Sequence, residues 1–179
     1  MMLRELLPDM SVPAIAIQGI CEDSRRVKSG DLFCAVPGER TDGRDYIAAA
    51  IGNGAAAVLG EAPLPELSNP LVPMVAVEGL RSRMSEIAGR FYGQPSEALS
   101  VFAVTGTNGK TSYSQLLAQA LSSASVKCGV IGTMGSGVPG ALVDAGLTTP
   151  AAIDIQRKLR ELVDSDCEAV VLEASSHGL

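Results

Sequence analysis

The sequence predicts an α/β protein with parallel sheets, and three observations support this class. Short apolar runs alternate along the chain with stretches that repeat apolar residues at helical spacing. Hydrophobic residues make up 46% of the chain but aromatic residues only 3%, and there is no Trp. Such an aliphatic core is typical of parallel strands that are covered by helices. Because parallel neighbours need crossover connections, the helices are expected to join the strands in right-handed crossovers.

Three strand patterns lie in the first half of the chain, at residues 32–36, 55–59 and 74–77. Helical spacing of apolar residues follows at 43–53 and at 79–92. The first of these helices is expected to pack through an apolar side that comprises Tyr46, Ile47, Ala50 and Ile51. Since strands and helices alternate, this half is expected to form a small α/β domain of its own.

The Gly-Gln-Pro-Ser segment at 93–96 ends the helix at 79–92, because it contains a glycine and a proline. A domain boundary is therefore predicted here, with one domain at 1–95 and the second at 96–179. The second domain is predicted to have strands and helices at 101–104, 113–120, 128–131, 151–163 and 169–172. Its three strands are about half of a usual sheet. The domain is therefore expected to be incomplete.

Composition argues against several classes of function. The chain carries 14 basic and 20 acidic residues, a net charge of −6, without a basic tract, so nucleic acid is not an expected partner. Its charged N-terminus does not have the pattern of a signal peptide, and its apolar runs are too short to span a membrane. The four cysteines are scattered, and there is one histidine. Reduced thiols in the cytoplasm are therefore expected, rather than disulfides or a zinc site.

The most informative motif follows the predicted strand at 101–104, where Gly106-Thr107-Asn108-Gly109-Lys110-Thr111-Ser112 leads into a helix. A glycine turn between a strand and a helix gathers backbone N–H groups around a phosphate. Lys110 would neutralise the β- and γ-phosphates, and the Thr111 hydroxyl would bind Mg²⁺. Only two residues separate Gly106 from Gly109, whereas the standard motif has four. The motif is either a shortened phosphate loop, which we favour, or a turn that contains Gly-Lys.

A second candidate is Glu173, at the end of the predicted strand 169–172. A carboxylate at the carboxyl end of a parallel strand is suited to bind Mg²⁺ beside a phosphate loop. The alternative is an acid that faces solvent. Ser175, Ser176 and His177 follow, but no nucleophile-elbow motif surrounds them, so binding of a polar substrate is favoured over a serine hydrolase.

Three further segments have both a structural and a functional interpretation. The glycines at 132–137 have the wrong order for a dinucleotide fingerprint, and a flexible loop is predicted. Thr148 and Thr149 precede a helix whose first turn would contain Pro150, so they either cap that helix or contact a ligand. The polar stretches 23–25 and 39–44 are surface turns that are placed where ligands bind in α/β folds.

Taken together, these stretches resemble the Mur ligases, the cytoplasmic ATP-dependent enzymes that build the stem peptide of peptidoglycan. The resemblance covers essentially the whole chain. It rests on the 105–111 loop and on Asp23-Ser24-Arg25, Gly30-Asp31-Leu32-Phe33, Pro37-Gly38, Thr41-Asp42-Gly43, Thr148-Thr149-Pro150 and Glu173-Ala174-Ser175-Ser176-His177-Gly178-Leu179. The last two segments are similar to the branch that adds the third residue of the stem peptide. The resemblance implies a UDP-binding domain followed by the first part of a P-loop ATPase domain.

The resemblance also implies cofactors, substrates and roles. ATP phosphates would be held by residues 106–112, and Mg²⁺ by Thr111 and Glu173, which with Lys110 would form the catalytic set. The substrate UDP-MurNAc-L-Ala-D-Glu would be bound by Glu22, Ser24, Glu39, Arg40, Thr41, Thr148, Thr149 and Ser175. Family chemistry phosphorylates the D-Glu carboxylate, and a diamino acid, meso-diaminopimelate or L-lysine, then attacks the acyl phosphate. The full-length protein is expected to be a monomer without membrane or nucleic-acid partners.

The sequence departs from the family pattern in places. Leu147 stands where an asparagine often precedes the paired threonines, and Tyr113 where a smaller hydroxyl residue is usual. The family's carbamylated lysine and its C-terminal domain, which selects the diamino acid, lie beyond Leu179. This chain alone is therefore not expected to catalyse the ligase reaction. Two alternatives are a nucleotide-binding module without catalysis and another P-loop enzyme, such as a small-molecule kinase, which would not need the first domain.

Overall fold

The computed structural model describes residues 1–38, 41–65, 71–143 and 150–174. It divides by its internal contacts into two compact units, Met1–Phe91 and Tyr92–Leu179. Each unit contains a sheet in which parallel strands predominate, so the predicted α/β class is confirmed. The functional boundary that the sequence places after residue 95 stays a prediction.

The first unit contains a four-stranded parallel sheet with the order β1-β2-β3-β4. Its strands are β1 (Gly19–Cys21), β2 (Asp31–Ala35), β3 (Ala57–Glu61) and β4 (Met74–Val77). Its helices are α1 (Leu3–Leu6), α2 (Ile47–Gly52) and α3 (Leu80–Phe91). All five residues of β2 are buried, because this strand lies inside the sheet between β1 and β3.

The predicted helix at 43–53 begins differently from expectation. Its first turn is a 3-10 turn, Gly43–Tyr46, and the α-helix starts only at Ile47. A 3-10 turn has three residues per turn, so it shifts the apolar side relative to an α-helix. Ile47 and Ala50 are buried as predicted, and Ile51 packs against the same core, but Tyr46 is 44% exposed. The predicted packing of Tyr46 is therefore wrong.

Stability of the first unit is expected to depend on Phe33. This side chain is fully buried and belongs to a core cluster with Ile47 and Val58. Phe33→Ala should lower the free energy of unfolding by about 3–5 kcal/mol, because it removes buried apolar surface and leaves a cavity. Chemical unfolding followed by circular dichroism measures the change. The control Leu71→Ala alters a side chain that is 87% exposed and should stay within about 0.5 kcal/mol; equal effects of the two variants would contradict this core.

The second unit has a sheet with the order β5-β8-β6-β7. Its strands are β5 (Ser100–Val104), β6 (Cys128–Gly132), β7 (Gly135–Gly137) and β8 (Ala169–Glu173), and its helices are α4 (Lys110–Ser123) and α5 (Ala152–Asp164). β5 and β6 both pair in parallel with β8, whereas β7 is antiparallel to β6. β5 has one strand neighbour among the described residues, and most of its side chains are exposed.

The glycine-rich stretch 132–137 is ordered rather than a flexible loop, so that prediction is wrong. β6 and β7 form a hairpin in which Gly132 pairs with Gly135, which leaves Thr133 and Met134 as a two-residue turn. Ser136 and Val143 then exchange two backbone hydrogen bonds of 2.8 and 2.9 Å. Strand pairing on one side and this bridge on the other hold β7 in place.

The start of α5 also differs from expectation. Ala151 is its N-cap residue and forms no side-chain cap, so Pro150 precedes the cap instead of occupying the first helical turn. Thr148 and Thr149 lie outside the described residues. Within the part of the chain that the structure describes, no helix combines the length and apolar content that a bilayer span requires.

Candidate functional site: a phosphate loop beside a buried carboxylate

The loop between β5 and α4 has the backbone that its glycines allow. Gly109 is the N-cap residue of α4 and is left-handed, with φ of 79° and ψ of −1°, and Gly106 has φ of 144°. Residues with a Cβ adopt such conformations at a cost. A Cβ built on Gly109 would meet no atom within 4 Å, so the space in front of the helix is open. The glycines therefore shape the turn and leave room for a ligand.

The first turn of α4 is suited to bind an anion. Its first backbone N–H groups have no acceptor within the helix and carry the positive end of the helix dipole. α4 begins at Lys110, three residues earlier than predicted, so the motif's lysine, threonine and Ser112 all lie in this turn. Residues 105–109 are exposed. A phosphate group can therefore reach these amides from solvent.

The ammonium group of Lys110 lies across the same loop. Its Nζ donates a hydrogen bond of 2.6 Å to the carbonyl oxygen of Gly106, at the other end of the turn. A cation is thus placed next to the exposed amides without burial in the protein. This geometry favours the shortened phosphate loop over a turn that merely contains Gly-Lys.

Glu173 is the last residue of β8 and is fully buried. The parallel register places it next to Val104 at the end of β5, and the N–H of Ala174 donates to the Val104 carbonyl at 2.9 Å. Its Oε2 accepts a hydrogen bond of 3.0 Å from the Thr111 hydroxyl, 62 residues away along the chain. The alternative interpretation, a strand-end acid that faces solvent, is therefore wrong.

The structure adds a residue that the sequence analysis did not assign. The Thr133 hydroxyl, in the turn of the β6–β7 hairpin, donates a hydrogen bond of 2.9 Å to the same Oε2. A signal was present, because Gly132 ends a buried strand that pairs with β8 and Thr133 follows it directly. Since the carboxyl ends of paired parallel strands meet at one edge, these residues had to lie beside Glu173.

The oxygen donors at this edge fit a magnesium ion. Mg²⁺ prefers oxygen ligands, and it is commonly held by one or two carboxylates together with phosphate oxygens and water. Thr111 and Glu173 offer a hydroxyl and a carboxylate 3.0 Å apart. Among the described residues there is no group of three or more His, Cys, Asp and Glu side chains that could hold a metal. A site that is completed by nucleotide phosphates fits this small donor set better than an all-protein site.

Three of the predicted substrate residues lie in the described part of the first unit. Glu22 and Thr41 are exposed and follow β1 and β2, so they lie at the same edge of the parallel sheet. Ser24 is buried in a 3-10 turn, and its carbonyl oxygen accepts a hydrogen bond of 2.9 Å from the Asn53 side chain. The roles of Glu22, Ser24 and Thr41 stay predictions.

The loops around these residues share one local hydrogen-bonding arrangement. Asp23 and Asp42 each cap a 3-10 turn by accepting the backbone N–H of the residue two positions on, and each binds that residue's guanidinium. Hydrogen bonds from Arg25 to Asp23 and from Arg44 to Asp42 lower the pKa of each carboxyl below the ordinary value for aspartate. Both carboxylates therefore stay ionised in moderately acidic solution. These hydrogen bonds from Arg to Asp within each turn fix the shape of the loops at this sheet edge.

The remaining predicted residues fall outside the described part of the chain. These residues are Glu39, Arg40, Thr148, Thr149 and Ser175, and the same holds for Ser176 and His177. Their proposed roles rest on the sequence alone.

Comparisons with known proteins agree with this geometry. Residues 104–179 match the Mur ligase middle domain, and residues 16–92 match a domain described as "Mur ligase family, catalytic domain". The chain is 50% identical to the UDP-N-acetylmuramoyl-L-alanyl-D-glutamate–2,6-diaminopimelate ligase of Ectopseudomonas mendocina (strain ymp), with 100% of the chain and 37% of that relative covered. It is 48% identical to the ligase of the same name from Pseudomonas aeruginosa, at the same coverage.

Solved structures give the same result. A structure of a UDP-N-acetylmuramoyl-L-alanyl-D-glutamate–2,6-diaminopimelate ligase matches 99% of the chain and 36% of its own length, with a TM-score of 0.82 and 34% identity. The MurF ligase from Thermotoga maritima in complex with ADP matches 92% of the chain and 34% of its own length, with a TM-score of 0.55 and 25% identity. The chain thus spans little more than a third of the relatives that it matches.

Proposed function

Since the chain belongs to the Mur ligase family, whose N-terminal and middle domains it matches, we propose that it is the nucleotide-binding part of an amide-bond ligase. The proposed reaction uses ATP to join 2,6-diaminopimelate to UDP-MurNAc-L-Ala-D-Glu in the cytoplasmic assembly of the peptidoglycan precursor. The choice of diaminopimelate over lysine is supported by the names of the relatives.

One observation carries the proposal: the phosphate loop and a fully buried carboxylate meet at 3.0 Å through Thr111 and Glu173. A buried carboxylate is costly unless it is hydrogen-bonded or neutralised by a cation. Two hydroxyl hydrogen bonds meet part of this cost, and a cation beside the open helix N-terminus would balance the charge of Glu173. Thr111 and Glu173 would hold Mg²⁺, which would neutralise charge on the phosphates when bound.

The other residues of the loop would position the nucleotide. The amides of the first turn of α4 and the Lys110 ammonium would bind the β- and γ-phosphate oxygens and stabilise the charge that develops during transfer. The γ-phosphoryl group passes to the D-Glu carboxylate and ADP leaves. The amine of diaminopimelate then attacks the acyl carbon and phosphate leaves. Because the transition state is loose, most of the rate enhancement comes from positioning and electrostatic stabilisation.

The first unit is proposed to hold the UDP end of the substrate. Glu22, Ser24 and Thr41 would act with Glu39 and Arg40, which precede Thr41 directly. The proposal is supported by the sheet edge where the loops after β1 and β2 lie, since ligands of α/β folds bind at the carboxyl ends of strands. Thr148, Thr149 and Ser175 are proposed to contact the sugar and peptide. The full-length protein is proposed to act as a monomer.

The ligase proposal is tested with a version of the protein that is extended to the length of its relatives. Phosphate release is measured with ATP, Mg²⁺, UDP-MurNAc-L-Ala-D-Glu and diaminopimelate, with each component omitted in turn and with lysine as the competing amine. Release that requires all four components is expected, and diaminopimelate should be preferred to lysine. A folded protein that binds nucleotide but releases no phosphate would instead support the non-catalytic module.

A further inference from the structure

The hydroxyl of Thr133, in the β6–β7 hairpin, contacts the same Glu173 oxygen as Thr111 in the phosphate loop. We propose that Thr133 is a positioning residue, which holds the Glu173 carboxylate in the direction needed to bind Mg²⁺ together with Thr111. The inference rests on the proposed function of this site, and it adds a residue from the β6–β7 hairpin to it.

Thr111 and Thr133 share one oxygen atom of the Glu173 carboxylate. Oε2 of Glu173 accepts two hydroxyl hydrogen bonds, at 3.0 Å from Thr111 on α4 and at 2.9 Å from Thr133. A threonine hydroxyl has one proton, and when its oxygen binds a cation that proton must point away from the cation. In the proposed site Thr111 would serve two partners, so its bond to the carboxylate changes when the metal binds. The bond from Thr133 is independent of this change and can keep the carboxylate in place.

The hairpin also leaves space for the carboxylate at Gly132. A Cβ on Gly132 would lie 2.4 Å from Oε1 and 2.5 Å from Cδ of Glu173, so the carboxylate occupies the space that a side chain would fill. Two adjacent residues thus receive the same group, Gly132 by having no side chain and Thr133 by donating a hydrogen bond. Gly132 and Thr133 therefore do more than close the turn, because the first leaves space for the Glu173 carboxylate and the second donates a hydrogen bond to it.

Backbone hydrogen bonds on both sides of the hairpin hold Thr133 in position. The turn is closed by the Gly132–Gly135 pair, and β7 is held by two backbone hydrogen bonds between Ser136 and Val143. The Lys158 side chain on α5 also contacts the Ser136 hydroxyl. Thr133 is itself exposed, yet its hydroxyl bonds a fully buried carboxylate from a rigid hairpin. Such outer partners orient metal ligands and raise metal affinity.

The test compares Thr133→Val, which removes the hydroxyl, with Thr133→Ser, which retains it. A fluorescent ATP analogue is titrated into each variant of this chain at a series of Mg²⁺ concentrations. Thr133→Val should need about tenfold to hundredfold more Mg²⁺ for half-maximal binding, because the carboxylate loses its fixed direction. Thr133→Ser should stay within about threefold of the wild type. Met134→Ala changes the exposed neighbour in the same turn and should have no effect.

Crystal structures of the variants provide a readout that does not need nucleotide. With Mg²⁺ in the crystal, the Glu173 carboxylate should change its direction in Thr133→Val and keep it in Thr133→Ser; Thr133→Ala serves if valine disturbs the turn. Unchanged Mg²⁺ dependence with an unmoved carboxylate in Thr133→Val would overturn the inference, as would equal losses in Thr133→Val and Thr133→Ser. Absence of Mg²⁺-dependent nucleotide binding by the wild type would instead contradict the proposed function itself.

Discussion

Replacement of Lys110 by alanine is expected to lower the rate of ATP-dependent phosphate release by about 10³-fold in the protein extended to the length of its relatives. The Lys110 ammonium lies across the exposed loop, within 2.6 Å of the Gly106 carbonyl, where the terminal phosphates would bind. Removal of one preorganised donor from a developing charge costs roughly 10²–10³-fold. Loss of a full positive charge beside phosphates is expected to lie at the upper end of this range.

A matched control separates this local effect from a change in overall charge. Lys127 is exposed and lies after the C-terminal end of α4, so Lys127→Ala removes the same charge far from the helix N-terminus. Its rate should stay within about twofold of the wild type. A Lys110→Ala protein as active as the Lys127→Ala protein would contradict the role of the loop in binding phosphates.

Glu173→Gln is expected to raise the Mg²⁺ concentration required for half-maximal activity by at least about 100-fold. The change keeps the size of a fully buried side chain and still accepts hydrogen bonds from Thr111 and Thr133, but it removes the negative charge. A neutral amide oxygen attracts a hard divalent cation much less than a carboxylate does. Phosphate release as a function of Mg²⁺ concentration measures the effect.

Glu168→Gln is the corresponding control, because Glu168 is exposed and lies just before β8, at the opposite end of the strand from Glu173. It should leave the Mg²⁺ dependence unchanged. A Glu173→Gln protein with wild-type Mg²⁺ dependence would show that the carboxylate does not bind the metal, whatever happens to its maximal rate.

Local patterns in the sequence were sufficient for most of the fold. The strand at 74–77 and the strand that ends in Glu173 are found where apolar runs predicted them. The second is buried along most of its length, as expected of a parallel strand inside a sheet. The position of Tyr46 could not be predicted in this way. Its exposure depends on a 3-10 turn that Asp42 caps, and the periodicity of apolar residues does not distinguish such a turn from an α-helix.

The hairpin shows a second limit of prediction from sequence. Its glycines suggest flexibility when they are considered alone, but pairing with β6 and the bridge to Val143 hold them in place. These contacts are tertiary, so they are absent from the local pattern. The position of Thr133 beside Glu173 follows from the register of β6 against β8. The sequence therefore predicted the charged residues of the candidate site, Lys110 and Glu173, but not Thr133, which donates a hydrogen bond to the Glu173 carboxylate.

A crystal structure of this chain with a non-hydrolysable ATP analogue and Mg²⁺ tests the central claim most directly. The account predicts that the β- and γ-phosphates lie against the amides of the first turn of α4. It also predicts that the Lys110 ammonium leaves the Gly106 carbonyl for a phosphate oxygen, and that the metal contacts Thr111 and Glu173. An analogue bound elsewhere at saturating concentration, with Lys110 still on Gly106, would contradict it.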